Sequence, residues 1–244
     1  MQALTQARAM TAGDKHASIA SHTAASSTSP GARPHAPDTL NLLEQFGSTI
    51  HLHRDAEIHA EGDDAQFCYR VVAGCVRTVK LLEDGRRQVG AFFLAGDHFG
   101  LDDLDTFDFG AETVTDVTLR RYPRRMVEAL AESHVGLTRR LRELALTNLR
   151  MARTQLLMLG RKTATERIAS FLLDMDMRCG GGRRSVLELP MTRADMADYL
   201  GLTVETICRI LAQMKRDGTV AIHRTGIELR DRRTLAERAN EVTR

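Results

Sequence analysis

A chain of 244 residues with 43% apolar and 27% charged side chains is long enough for two domains with separate cores, and too apolar to be disordered throughout. No apolar run approaches the roughly 18 residues of a membrane span, and the N-terminus lacks the apolar stretch of a signal peptide, so a cytoplasmic protein without membrane contact is expected. The net charge of +2 is uneven: residues 1–159 carry 18 Lys and Arg against 20 Asp and Glu, whereas residues 160–244 carry 16 against 12, which puts the basic end where a polyanion would be met.

Residues 1–37 are rich in Ala, Ser, Thr, Pro and His without any period and read as a disordered tail. His16, His22 and His35 could in principle bind a metal, but histidines so widely spaced in a flexible tail seldom do so tightly. Cys68, Cys75, Cys179 and Cys208 show neither Cys-x-x-Cys pairing nor neighbouring histidines. They read as small, partly buried thiols, with no metal site and no disulfide framework. From Thr49 to Tyr122 the pattern is of short β-rich runs at 67–72, 76–82, 88–94 and 113–122, punctuated by Gly62-Asp63, Gly74, Asp84-Gly85 and Gly96-Asp97. Such spacing predicts an antiparallel roll over residues 38–123, with Asp84-Gly85 as a hairpin turn.

Between Pro123 and Gly160 the only helix-weakening residue is Gly136, so one long helix is predicted over 124–159. Leu130, Leu137, Leu144 and Met151 recur every seven residues, with His134, Leu141 and Asn148 at the alternating position. A heptad seam of this kind fits a parallel two-stranded coiled coil, its Asn fixing register, and hence a homodimer. The competing reading is an amphipathic helix lying on its own roll.

Residues 160–235 predict a third unit, followed by a tail at 236–244. A helix over 165–177 ends in the run Gly180-Gly181-Gly182, and 186–190 reads as a short strand. Then come two short helices with Thr192 and Thr203 as N-caps and Gly201 in the turn between them. Met196, Ala197 and Leu200 form the apolar side of the first, and Ile207, Ile210 and Leu211 that of the second. This is helix-turn-helix grammar. Glu205 and Arg209 stand one turn apart on the face away from Ile207 and Ile210, suited to a major groove, where a carboxylate accepts from cytosine and a guanidinium donates twice to guanine. An ordinary surface ion pair is the competing reading. Val220–Ile222 and Gly226–Leu229 flank a turn as a wing, with Arg224 at its tip able to meet a phosphate.

Val204-Glu205-Thr206-Ile207-Cys208-Arg209 resembles the recognition helix of the cyclic AMP receptor protein and fumarate-nitrate reduction regulator superfamily, in its V-E-T-x-x-R version. From about Leu40 onward the chain is most similar to FixK-type nitrogen-fixation regulators. Arg70-Val71-Val72-Ala73-Gly74-Cys75-Val76-Arg77 and Leu94-Ala95-Gly96-Asp97-His98-Phe99-Gly100 look like the jelly-roll signatures of the cyclic-nucleotide-binding fold. The resemblance implies an α+β protein with an N-terminal cyclic-nucleotide-binding-like β-roll, a long dimerisation helix and a C-terminal winged helix-turn-helix. It further implies a non-enzymatic transcription activator of nitrogen-fixation and microaerobic respiration genes that binds double-stranded DNA at a palindromic TTGAT-type operator and works with RNA polymerase. The base contacts would be Val204, Glu205 and Arg209, and the backbone contacts Thr192, Arg193, Thr203, Thr206 and Arg224.

No cofactor is expected. Family members that hold cyclic AMP carry a Glu and then an Arg-Ser or Arg-Thr pair after the glycine-rich turn, whereas residues 101–113 here are acidic and lack arginine. Such a loop repels phosphate. An iron–sulfur cluster needs four thiolates, and residues 1–67 contain no cysteine. Haem would need an axial ligand such as Cys75 or His98, residues that serve structural ends more often. A small-molecule-gated sensor of the same superfamily stays open as the alternative. An enzyme does not, for there is no P-loop, Gly-x-Ser-x-Gly or His-Glu-x-x-His. Cys208 precedes Arg209 directly and would be a redox-sensitive position if its thiol were reactive; otherwise it is simply a small helix residue.

Overall fold

Alternation of apolar and polar residues from Ser48 to Pro123 gives each short strand one face to bury, and two antiparallel sheets bury those faces against each other. The computed structural model describes residues 40–101, 105–180 and 186–240. The expected N-terminal tail with its three histidines, part of the acidic loop and most of the glycine run lie outside the described residues. A short helix α1 (Asn41–Glu44) leads into β1 (Ser48–Leu52), β2 (Glu57–His59), β3 (Phe67–Ala73), β4 (Cys75–Leu81), β5 (Arg87–Leu94), β6 (His98–Phe99), β7 (Gly110–Thr113) and β8 (Val117–Pro123). One sheet has the order β1-β8-β3-β6 and the other β2-β7-β4-β5. Tyr69, Val71, Val76, Phe99 and Leu119 fill the space between them.

Gly74 makes the β3–β4 corner at φ +90°, and a Cβ there would lie 2.3 Å from the Asp116 carbonyl oxygen, so only glycine fits. Asp84-Gly85 closes the β4–β5 hairpin as expected, Gly85 sitting at φ +80°. The strand expected over 113–122 is two strands. The chain bends at 114–116 to pass from one sheet to the other, a crossing that a hydrophobic pattern common to both sheets does not reveal.

The single helix expected from 124 to 159 is also two: α2 (Arg124–Ser133) and α3 (Val135–Arg161), broken at His134, whose backbone is extended at φ −128°, ψ 91°. Each piece has good helix formers, and Gly136, the one helix-weakening residue of the segment, lies two residues past the break, inside the first turn of α3. His134 is exposed there, its Nδ1 within 3.0 Å of the Leu130 carbonyl oxygen. Most of the seam read from the heptad faces inward, although His134 and Met151 are exposed. Leu137 is fully buried in a cluster with Leu40, Leu43, Cys68, Tyr122 and Val127, and Leu130, Leu141 and Leu144 pack against it. Asn148 and Met151 line a cavity beside the roll. Leu146, Leu149, Leu156 and Leu157 lie on the opposite side of α3 and are 44–71% exposed. A heptad of leucines satisfies any apolar partner, and here its own roll takes that face.

The C-terminal unit contains α4 (Ala164–Gly180), α5 (Arg193–Leu200), α6 (Val204–Arg216), the hairpin β9 (Val220–Ile222) and β10 (Ile227–Leu229), and α7 (Arg232–Ala239). The strand expected at 186–190 is only a bridge from Leu187 to Ile227. Residues 236–239 of the expected tail are the end of α7, where Ala239 is buried, and residues 241–244 lie outside the described residues. Ile168, Phe171, Leu172, Met196, Leu200, Ile207 and Leu211 form this unit's core, and Cys75, Val79, Val89, Phe92 and Val114 of the roll belong to the same cluster. None of the described helices is long and apolar enough to cross a membrane.

Candidate nucleic-acid interface

Helix α5 begins with a complete capping box. The Thr192 hydroxyl accepts from the Asp195 backbone N–H, and the Asp195 carboxylate accepts from the Thr192 N–H and hydroxyl at 3.0 and 2.7 Å. It ends at Gly201, left-handed at φ 61°, ψ 44°, which turns the chain into α6. Thr203 caps α6 by accepting from the Thr206 N–H at 3.2 Å, and the two hydroxyls meet at 3.2 Å. With both ends of the turn satisfied, Ile207, Ile210, Leu211 and Met214 face the core of the domain.

The opposite face of α6 presents Val204, Glu205, Cys208 and Arg209, all exposed. No ion pair joins Glu205 to Arg209 among the described residues, and both side chains end in solvent. The Glu205 carboxyl is held below its ordinary range by its own backbone N–H and the Thr203 hydroxyl, so it is an acceptor at neutral pH. Arg193, at the start of α5, is half-buried; its Nη1 lies 3.1 Å from Met196 Sδ, and burial lowers its pKa while the nearby Cys208 works the other way. Arg224 is exposed in the turn between β9 and β10, closed by the His223 N–H to Gly226 carbonyl bond of 2.9 Å. Thus Val204, Glu205 and Arg209 share one face, Thr192, Arg193, Thr203 and Thr206 gather at the two helix starts, and Arg224 stands apart on the wing.

Several functional side chains escape sequence reasoning. Arg209 borders a cleft of about 250 Å³ with Arg216 of the same helix and with Arg238 of α7, whose charge is balanced by Asp217 at 2.9 Å, so positive charge continues past the predicted contacts only along α6. Arg167 of α4 donates to the carbonyls of Leu159, Lys162 and Leu200 at 2.8–2.9 Å, fastening the ends of α3 and α5 together. Arg216 at i+7 from Arg209 was legible as a helix stripe; Arg238 and Arg167 were not, because their partners come from other elements.

In the roll, a cavity of about 240 Å³ lies between β4, β5 and α3, lined largely by apolar groups including Phe93, Phe99, Phe109 and Met151. No Arg or Lys lines it among the described residues. Of its two titratable rings, Tyr199 is pushed up to about 12 by burial, and His59 stacks on Phe107 with centroids 3.5 Å apart and is lowered by burial to about 4, so both are neutral. None of the described lining residues would neutralise a cyclic phosphate. Cys68 and Cys75 are buried, their thiols pushed up to about 11 and about 12, and no group of three or more potential metal ligands occurs among the described residues. His98 and Cys75, nominated for haem, belong to strands β6 and β4.

Comparison with known proteins agrees with this geometry. A Crp-like helix-turn-helix domain matches residues 166–238 and a cyclic nucleotide-binding domain matches residues 49–134. The chain is 45% identical over 179 residues to the nitrogen fixation regulation protein FixK of Rhizobium meliloti, covering 73% of this chain and 77% of that protein. It is 42% identical over 198 residues to FixK of Azorhizobium caulinodans, covering 80% of each. The solved structure of FixK2 from Bradyrhizobium japonicum superposes with a TM-score of 0.76 at 40% identity, covering 81% of this chain and 99% of that one. A capped helix-turn-helix on a cyclic-nucleotide-binding-like roll, matched at these identities over most of both chains, shows that the protein belongs to the Crp/Fnr superfamily of helix-turn-helix transcription regulators, in its FixK-type group.

Proposed function

We propose that this regulator is a cytoplasmic homodimer that activates nitrogen-fixation and microaerobic respiration genes by binding a TTGAT-type inverted repeat ahead of RNA polymerase, without cyclic nucleotide. The observation that carries the reading is the doubly capped α5–α6 unit, with Val204, Glu205 and Arg209 exposed on one face and unspent on internal ion pairs. Val204 meets a thymine methyl, Glu205 a cytosine amine and Arg209 a guanine, while Thr192, Arg193, Thr203, Thr206 and Arg224 hold phosphates. A two-fold axis along the exposed leucine face of α3 sets two α6 helices roughly 34 Å apart, one turn of DNA. The operator's half-site sequence comes from the family likeness.

Binding selection on random-sequence duplexes with the purified, ligand-free protein tests this reading. An inverted repeat with half-sites one turn apart is the expected product; a non-palindromic product, or none until a ligand is added, overturns it. The cavity in the roll supports a second reading, a small-molecule-gated regulator, but its uncharged lining fits no cyclic nucleotide. Calorimetric titration with cyclic AMP and cyclic GMP should give no saturable heat. Control by modification centres on Cys208, exposed one residue before Arg209. An anionic oxidation product there would oppose DNA phosphates. Mild peroxide should weaken operator binding by wild type and leave Cys208→Ser unaffected; equal losses in both would remove Cys208 as a switch.

A further inference from the structure

Asp195 caps α5 with one carboxylate oxygen and does something else with the other. Its Oδ2 accepts from Thr192, while its Oδ1 accepts from Arg77 Nη1 at 3.0 Å and Arg87 Nη2 at 2.9 Å, two guanidinium groups of the roll 118 and 108 residues away in sequence. Arg77 lies on β4 and is itself buried, its Nε and Nη2 donating to Glu112 at 2.9 and 2.7 Å, with Asp55 at 3.5 Å. Arg87 begins β5 and completes the bridge by donating from Nε to Asp198 of α5 at 2.8 Å. Two arginines therefore sit between carboxylates of their own roll and carboxylates of the helix-turn-helix. At its other end α5 is held by Arg167, which donates to the Leu200 carbonyl at 2.8 Å.

An apolar contact alone would let α5 slide or rotate on the roll, because dispersion and burial have no direction. The contact of Phe92 with Phe171 and Tyr199 is of that kind, with ring centroids 5.3–6.3 Å apart. Charge-assisted bonds to planar guanidinium groups do have direction. Asp195 is 1% exposed, so its two arginine partners cannot be exchanged for water without leaving a buried charge. Helix α6 is packed on α5 through the core that Met196, Leu200, Ile207 and Leu211 share. Whatever orients α5 orients α6.

We infer that Arg77 and Arg87 of the roll are positioning residues for DNA reading, setting the angle of the recognition helix through Asp195 and Asp198. The inference rests on the DNA-reading role proposed above. The recognition face itself is left open to solvent by this contact, so the clamp orients α6 and does not mask it. In a dimer, the angle of each α6 to the roll decides the separation of the two recognition helices, and hence which spacing between half-sites is accepted. The clamp therefore acts on operator spacing and leaves base identity to the face of α6.

The test uses the full-length protein and four duplexes: the TTGAT inverted repeat at its preferred spacing, the same repeat with one base pair added or removed, and a single half-site. Arg87→Gln and Asp198→Asn break the partly exposed arm of the clamp, and Asp198→Glu keeps the carboxylate. The two breaking variants should lose roughly tenfold on the preferred spacing, a coupling of ordinary size, with little change on the altered spacings and the single half-site. Asp198→Glu should restore most of the spacing preference. Unchanged spacing profiles in Arg87→Gln and Asp198→Asn would overturn the inference, as would an equal loss on all four duplexes, which marks a general defect of folding. If wild type itself shows no preference for the inverted repeat, it is the DNA-reading role that fails.

Discussion

Arg209 ends in solvent on the open face of α6, so truncating it removes the proposed base contact without disturbing the core. Arg209→Ala should lose about 1–3 kcal/mol at one guanine of each half-site, measured as the affinity gap between matched and mismatched operators. A parallel loss on both would refute base reading. Arg193 is half-buried against Met196, so Arg193→Ala should weaken binding to all sequences and lower the salt slope by roughly one per subunit. His59 makes a prediction about pH. Its pKa falls from 6.5 to about 4 on folding, so between these values the unfolded chain binds more protons and stability rises with pH. The stability this neutral ring permits is complete above about pH 6.5 and is lost as pH falls toward 4, by at most about 1.4 kcal/mol per pH unit. Denaturant titrations of wild type and His59→Phe across this range should show a shallower slope in the variant, carboxylates lowered on folding such as Glu44 and Asp195 supplying what remains near the acid end.

The helix α3 has two apolar faces with different fates, and substitutions separate them. Leu137→Asp places a charge in a fully buried site beside Tyr122 and Val127 and should cost several kcal/mol of folding stability. Leu149→Asp with Leu156→Asp alters the exposed face and should leave the monomer folded while abolishing dimers in analytical ultracentrifugation and lowering affinity for the inverted repeat. A double variant that stays dimeric would place the two-fold contact elsewhere. The seven-residue repeat at 130–151 showed that a helix with an apolar stripe existed, and periodicity alone could not say whether a partner chain or the roll would cover it. The break at His134 was equally hidden, for each flanking segment is a good helix by composition.

Across the whole molecule, the core shared by the roll and the DNA-binding unit joins Val89 and Phe92 to Phe171, Met175 and Met196. Two units that share a buried cluster should unfold together. Calorimetry is expected to show one transition, coincident with loss of helical circular dichroism; two resolved transitions would mean that the interface contributes little. The ligand-free protein should also bind its operator in air and after treatment with an iron chelator, since no ligand set for a cluster converges among the described residues. Strict dependence on a nucleotide or a metal would sink that expectation.

The helix-turn-helix was legible because its determinants are local: Thr192, Gly201 and Thr203 act on backbone groups within four residues, and the apolar spacing of α5 and α6 defines one inward side. The roll was legible in outline for the same reason, through strand-length alternation and glycine turns such as Gly74 and Gly85. Sequence alone could not route residues 113–122 between two sheets, nor choose which stripe of α3 meets the roll. It could not show that Asp195, an apparent capping residue, also receives Arg77 and Arg87. Those outcomes depend on pairings distant in sequence, from a few tens of residues for the strands to more than a hundred for Asp195, where propensity and spacing are silent and only tertiary closure brings the partners together.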